Sequence, residues 1–416
     1  MNNPIDLRSR AAHPHGETRR RPAWPFAALV LAGAVLAQPA WAKDAIKVCF
    51  VDDRSGAAAD TGIQSYNGFQ LALAEVNAAG GIAGHPVEAV AYDGKTDPQL
   101  TATFASRCAE DDGALAIVGG NPAAPAAAMI PIATEYEIPY LMLSAGTDNL
   151  TDAPAPFHFR VGPRNSQDAN AIAGLVSTQG FKRVAIINNS LPFGTDSAHA
   201  ALAALKAKNI EVVAQQTYDI NATDLAPQVS TLRNAKPDVV LVFPYAADGA
   251  RVLRTLQQLG MQTPRIVARS ALLSTLRDLA GAASDGVLIP NTVDIHRDDV
   301  KRLFEAYKAR FGAEQPTMYP VLGYDAAKLV FKALAEPKVL AALDDGELAA
   351  ARVALRDAIV ANGHYAGLQG RTGATYQFSE SQRHGPPDDN WFVFVQVTGN
   401  GKQLVDADLA AFTPTP

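Results

Sequence analysis

The chain is poor in the residues that metal and nucleophile chemistry draws on. Its 416 residues include two cysteines and eight histidines. No CxxC pair occurs, and the six histidines after residue 42 (His85, His158, His199, His296, His364 and His384) are scattered, so no metal site is expected. The G-x-S-x-G elbow, the P-loop and the G-x-G-x-x-G turn are all missing, which removes the commonest hydrolase, nucleotide and dinucleotide signatures. Two acidic pairs, Asp52-Asp53 and Asp388-Asp389, read as solvated loop charges rather than catalytic dyads. No catalytic residue and no cofactor are therefore expected. A formal net charge of −6 without a concentrated basic surface argues against nucleic acid, whose phosphates need one.

What is present suits a soluble globular protein. Hydrophobic residues make up 48% and charged residues 19%, which excludes a disordered or fibrous chain. At roughly 150 residues per domain, the length predicts two or three domains. The N-terminus stands apart. Arg19, Arg20 and Arg21 precede the apolar run FAALVLAGAVLA, Phe26–Ala37, and Ala40-Trp41-Ala42 supplies a small-x-small cleavage pattern. That run is short of the roughly 20 residues a membrane span needs. Residues 1–42 therefore read as a secretory signal cleaved after Ala42, which sends the remainder to the periplasm.

Cys49 and Cys108 would then enter an oxidising compartment. Cys49 lies in a predicted first strand and Cys108 in a helix that crosses back over it. A disulfide between them is reasonable, two buried thiols are the alternative, and spacing alone leaves both open.

From Ile46 onward strands and helices alternate. IKVCFV, Ile46–Val51, is a continuous β-rich run of the kind covered on both faces of a sheet. Ile63, Tyr66, Phe69, Leu73 and Val76 then recur at helical spacing. VEAVAY, a helix over Asp97–Asp111, ALAIV, a helix over Ala126–Tyr136 and YLML continue the cycle. A second series begins after HFRVGPRN, with RVAIIN, EVVAQQTY, DVVLVF and RIVA separated by helices at Thr195–Lys208, Thr223–Asn234 and Ala247–Leu259. Helices over Asp298–Phe311, Tyr319–Leu334 and Glu347–Val360 follow, then TYQF and NWFVFVQV. The simplest architecture is α/β: two doubly wound, Rossmann-like lobes joined by a multi-strand hinge, with HFRVG and GVLIPN as crossing strands. The first lobe takes 43–162 plus about 290–373, and the second 163–289 plus about 374–416.

Ligands of open parallel sheets sit beyond the carboxyl ends of the strands. RSGAAADTG follows the first strand, GGNPAAP the third and SAGT the fourth, which puts three small-residue loops on one rim. Their exposed backbone and the helix N-terminus after GGNPAAP suit a carboxylate.

These loops carry a resemblance. Ser55-Gly56, Ala59 and Gly62, then Asn67-Gly68, Leu71-Ala72, NAAGGIAG (Asn77–Gly84), YDGKTDP (Tyr92–Pro98) and Ala116–Gly119 recur in order. IPYLMLSAGTDNLT, GYDAAKL at Gly323–Leu329 and GRTGATYQF complete the set. The sequence resembles the type I periplasmic binding proteins, in particular the leucine/isoleucine/valine-binding branch of the ABC-transporter solute receptors. The resemblance runs from Ile46 to about Val397. It implies two lobes that close on a small-molecule solute and deliver it to ABC permease subunits in the membrane. It also implies that Asn121, Ala123 and Ala124, with Ser144, Ala145 and Thr147, hold the ligand from the first lobe. Phe193 and Tyr245 would approach from the second, and Tyr319 would face the side-chain pocket near the hinge.

Two departures stand out. Where the family usually has a hydroxyl, this chain has Pro122-Ala123-Ala124-Pro125. The acid that pairs with a ligand ammonium should fall near Ser270, which is neutral and sits beside the cationic Arg269. Either Asp53, Asp60 or Asp248 replaces it, or the ligand has no amine. Arg269 is read as a solvated loop residue, with a carboxylate contact as the alternative. The expectation is an exported, monomeric solute receptor for a small amino acid or a related carboxylate or amide. A periplasmic sensor that docks on a membrane signalling partner is the competing reading.

Overall fold

The computed structural model of the chain describes residues 43–151, 155–312, 317–386 and 391–414. The expected leader and the Asp388-Asp389 pair lie outside the described residues. A first sheet is built from β1 (Ile46–Asp52), β2 (Val87–Asp93), β3 (Ala116–Gly119), β4 (Tyr140–Met142) and β5 (His158–Arg160). Its order is β2-β1-β3-β4-β5 and every pairing is parallel. The connections are α1 (Ala59–Ala78), α2 (Pro98–Glu110) and α3 (Ala123–Glu135). All of β1 except Lys47 is buried, as a strand covered on both faces should be. At the start of α2 the Asp97 carboxylate accepts from the Gln99 and Leu100 N–H groups, and Pro98 fills the first helical position. Helix α3 begins three residues earlier than its apolar spacing suggests. Pro125 is tolerated there because N–H groups of a first helical turn have no intrahelical partner.

After α4 (Asn165–Thr178) a second sheet starts. It contains β6 (Arg183–Asn189), β7 (Glu211–Tyr218), β8 (Val239–Phe243), β9 (Arg265–Val267) and β10 (Leu288–Asn291). They alternate with α5 (Pro192–Ala207), α6 (Ala226–Asn234), α7 (Ala246–Gln258) and α8 (Ser274–Ala280). The chain then runs through α9 (Asp298–Phe311), α10 (Met318–Leu334), α11 (Pro337–Asp344) and α12 (Leu348–Ala361), and a hairpin of β11 (His364–Tyr365) and β12 (Tyr376–Gln377). It returns as β13 (Val393–Thr398), antiparallel to β10, and β14 (Gln403–Asp406), antiparallel to β13, which extend the second sheet. The order is β14-β13-β10-β9-β8-β6-β7. Helices α9 and α10 pack on α1, and α10 also reaches β3, so this late segment covers the first sheet. Helices α4, α8 and α11 and strands β11 and β14 are additions to the sequence reading.

The motifs quoted for the resemblance hold this packing together. A Cβ on Gly68 would lie 1.8 Å from the Pro320 carbonyl oxygen, and one on Gly323 1.8 Å from that of Ser65. The helices α1 and α10 therefore touch backbone to backbone through reciprocal glycines. Asp325 of GYDAAKL is buried and accepts from the Leu368 and Gln369 N–H groups and the Tyr376 hydroxyl, fastening the returning chain onto α10. Burial pushes its carboxyl up to about 6, against the pull of those donors. Cys49 in β1 and Cys108 in α2 are joined by a disulfide, with Cα atoms 6.1 Å apart. A loop closed by two cysteines 59 positions apart is worth about 4 kcal/mol in the chain-entropy account.

Gly323→Ala should cost roughly 1–3 kcal/mol, because its methyl can be housed only by moving a backbone carbonyl. Gly174→Ala in α4, where nothing lies within 4 Å, should instead stabilise by roughly 0.5–1 kcal/mol. Denaturant unfolding of the two variants checks the contrast; equal effects would contradict the close helix contact.

Candidate functional site

The loops at the carboxyl ends of both sheets meet around one cavity of about 70 Å³. An enclosed space of that scale suits a small solute rather than a polymer. The first sheet supplies Ala57, Ala58, Asp60 and Thr61 after β1, Asn121, Pro122 and Ala123 after β3, and Ser144, Gly146 and Thr147 after β4. The other side is lined by Phe193, Tyr245, Ala246, Arg269, Ser270 and Leu273, with Asn165 and Tyr319 at the crossings between sheets.

Each rim is tied by buried carboxylates. Asp52 accepts from the Asp53 N–H, and from the Asn121 N–H and side-chain amide at 3.3 and 2.6 Å. Asn121 Oδ1 in turn accepts from the Ser144 hydroxyl at 2.7 Å. One chain of hydrogen bonds thus joins the ends of β1, β3 and β4. Asp53 accepts from the Thr96 N–H and holds the loop after β2. In the second sheet Asp248 plays the same part: it accepts from the Asn189 side-chain amide ending β6, from the Tyr218 hydroxyl ending β7, and from the Tyr245 N–H after β8. Asp52 and Asp53 are 2% and 0% exposed, which corrects the reading of this pair as solvated charges. Their job is to satisfy backbone and amide donors below the rim. Neither Asp53 nor Asp248 lines the cavity; Asp60 is the acid that does.

Two hydrogen bonds cross the cavity. The Thr147 hydroxyl donates to Asp196 of α5 at 2.8 Å, and the Thr275 hydroxyl donates to Asp60. Phe193 and Tyr245 stand beside each other with ring centroids 5.6 Å apart. Burial pushes the Tyr245 and Tyr319 hydroxyls up to about 12, so both are neutral donors at physiological pH.

Arg269 is 2% exposed, which overturns its reading as a solvated residue. Its Nε meets Asp168 Oδ2 at 2.8 Å and its Nη2 donates to Asn165 Oδ1 at 3.3 Å. Burial lifts the Asp168 carboxyl to about 6, opposed by the Arg269 charge. Beneath the Ser144 loop, the buried Arg160 guanidinium donates to the Ala145 and Thr147 carbonyls.

Of the residues singled out in the sequence, Asn121, Ala123, Ser144, Thr147, Phe193, Tyr245, Arg269, Ser270 and Tyr319 gather at the cavity. Two do not. Ala124 is exposed on the first turn of α3. Ala145 is 1% exposed and packs below, its N–H given to Gly120 and its carbonyl taken by Arg160. Asn165 and Gly146 were not singled out. Gly146 lay within the small-residue loop; Asn165 carries no local signal, since it reaches the cavity only through the docking of α4.

A sequence profile described as periplasmic binding protein matches residues 45–402. The leucine-specific-binding protein of Salmonella typhimurium is 28% identical over 67% of this chain and 77% of its own length. A Leu/Ile/Val-binding protein homolog of Brucella abortus is 25% identical over 68% and 75%. Among solved structures, a periplasmic binding protein type 1 from Bordetella pertussis superposes with a TM-score of 0.76, at 23% identity over 88% of this chain and 100% of that one. A branched-chain amino acid transporter substrate-binding protein from Streptococcus pneumoniae, in complex with isoleucine, gives 0.75 at 21% identity over 86% and 97%. At those identities the two structures establish likeness of fold. Among the described residues no helix is long and apolar enough to cross a membrane.

Burial raises the Asp52 carboxyl to about 8, against the pull of the Asp53 N–H and the Asn121 donors, with the Asp53 charge adding to the rise. A raised folded-state value stabilises the fold fully below the unfolded value of 3.8, and that stability is lost as pH climbs through about 8. His158 and His384, whose values burial lowers, oppose this fall only until their unfolded imidazoles are deprotonated, within about a unit above 6.5. Stability should therefore fall by about 1–2 kcal/mol between pH 6.5 and 8.5. Denaturant unfolding across that range reads it, and Asp52→Asn should flatten the slope. A wild-type stability that rises with pH would contradict the assignment.

Proposed function

The chain belongs to the periplasmic binding protein family, and from that premise we propose that it is the solute receptor of an ABC importer. Proteins of this family bind solutes and do not transform them. The family also places its members in the periplasm. In the proposed cycle a small amino acid, or a related carboxylate or amide, enters between two lobes, 43–162 with about 290–373 and 163–289 with about 374–416. The lobes close on it and the closed form docks on permease subunits. Residues 1–42 act as the export leader, cleaved after Ala42, and the exported chain is a monomer.

The observation that supports this reading is the meeting of both rims around one small cavity, bridged by the Thr147 to Asp196 and Thr275 to Asp60 hydrogen bonds. Ligand atoms that add to such cross-cavity contacts favour the closed state by the free energy unique to it. Asn121, Ser144, Thr147, Phe193, Tyr245, Arg269, Ser270 and Tyr319 are the proposed ligand contacts. The relatives named for leucine, isoleucine and valine make branched-chain amino acids the first solutes to test.

In thermal unfolding, a solute present at 100 times its dissociation constant should add about 2.7 kcal/mol of stability. A panel of neutral amino acids, amine-free carboxylates and small amides should contain at least one that raises the midpoint. No shift with any of them would contradict a receptor for this solute class.

A further inference from the structure

At the Arg269 end of the cavity, three buried polar atoms have no hydrogen-bond partner among the described residues. They are Arg269 Nη1, Asn165 Nδ2 and Ser270 Oγ. Their residues are 2%, 2% and 5% exposed, and all three line the cavity. The orientation of Asn165 is fixed chemically: a guanidinium only donates, so Oδ1 faces Arg269 Nη2 and the amide N–H groups are left over. A buried donor without an acceptor is costly, most of all when it is charged. Such a cluster calls for an acceptor from the solute.

The surrounding charge has the same sign. Arg160, Arg164 and Arg269 are grouped here with the carboxylates Asp148 and Asp168. Arg160 donates to two main-chain carbonyls. The Arg269 guanidinium at this end therefore suits a carboxylate from the solute.

The opposite end has the reverse character. The Ser144 hydroxyl proton is given to Asn121 Oδ1 and that of Thr147 to Asp196 Oδ2. What those two hydroxyls leave for a solute is lone pairs, and the Asp60 carboxylate lines the cavity as well. Those groups accept from an ammonium, an amide N–H or a hydroxyl.

We propose that Arg269, Asn165 and Ser270 form the carboxylate subsite, so that the solute lies with its carboxylate on the Arg269 fork and any donor group toward Asp60 and Ser144. This deepens the receptor reading and rests on it. It turns the solute end for end relative to the resemblance, in which the loops after β3 and β4 take the carboxylate and the Ser270 position meets the amine. The recognised class is then the small carboxylate, with the amine dispensable. Gly146 is the positioning residue: a Cβ there would lie 2.1 Å from Asn165 Oδ1 and 2.7 Å from Arg269 Nη2. Any side chain would push both out of place.

Isothermal titration calorimetry on the full protein tests this with alanine, leucine and phenylalanine, each alongside its amine-free carboxylate and its carboxyl-free amine. In the tightest-binding set, the amine-free carboxylate should stay within about tenfold of the amino acid, and the carboxyl-free amine should lose about 100-fold or more. Arg269→Lys keeps a cation beside Asp168 but removes the fork, and should weaken carboxylates about tenfold or more. Ser270→Ala, which leaves the ion pair alone, guards against misfolding and should weaken them about fivefold. If the carboxyl-free amine binds as well as the amino acid, or both substitutions leave carboxylate affinity unchanged, the subsite is overturned while the receptor reading stands. If none of the nine compounds binds the unsubstituted protein, the carboxylate subsite falls, and the wider thermal panel with its amides decides the receptor reading separately.

Discussion

The arrangement of the cavity depends on how a buried guanidinium is accommodated. Removing Arg269 from water is expensive, and the structure offsets this with Asp168 at 2.8 Å and Asn165 at 3.3 Å, both from the first turn of α4. The ion pair therefore fastens the crossing into the second sheet against the segment after β9. The same turn is tied to the first sheet, because the Asn165 N–H donates to the Gly146 carbonyl at 2.7 Å. Three chain segments distant in sequence converge on one side chain. The fork has more donors than Asp168 and Asn165 consume, and the surplus points to a solute acceptor.

Rigidity around that point comes from carboxylates that do no recognition themselves. Asp52, Asp53 and Asp248 each sit below a rim and collect donors from neighbouring loops. Small residues let the loops approach a ligand, and the buried acids keep those loops from collapsing into the space. A site prepared in this way loses less ordering entropy on binding. The two cross-cavity hydrogen bonds are of another kind, since they join the rims and exist only while the rims are together.

Much of the fold was legible because burial on both faces writes itself as continuous β-rich runs. IKVCFV and DVVLVF needed no tertiary knowledge, and neither did a helix such as Asp298–Phe311, whose apolar stripe and acidic first turn mark its limits. Helices α4, α8 and α11 and strands β11 and β14 were missed: α8, α11 and β11 are short, α4 buries polar residues such as Asn165, Gln167 and Asp168 beside its apolar ones, and β14 keeps Leu404 as its buried position. At the site, small-residue loops after strands were readable since their position follows from topology alone. Which atoms in those loops face the cavity was not. Ala145 looked like Thr147 in sequence, yet its peptide groups are consumed by Gly120 and Arg160. Arg269 looked solvated because its partner Asn165 lies 104 positions earlier, a separation no local pattern encodes.

A crystal structure of the protein with its tightest-binding carboxylate tests the central claim most directly. The account predicts carboxylate oxygens within hydrogen-bond distance of Arg269 Nη1 and of Asn165 or Ser270, with Asp168 still on Arg269 Nε. A carboxylate held instead by the loops after β3 and β4, with Arg269 turned wholly to Asp168 and Asn165, would contradict it.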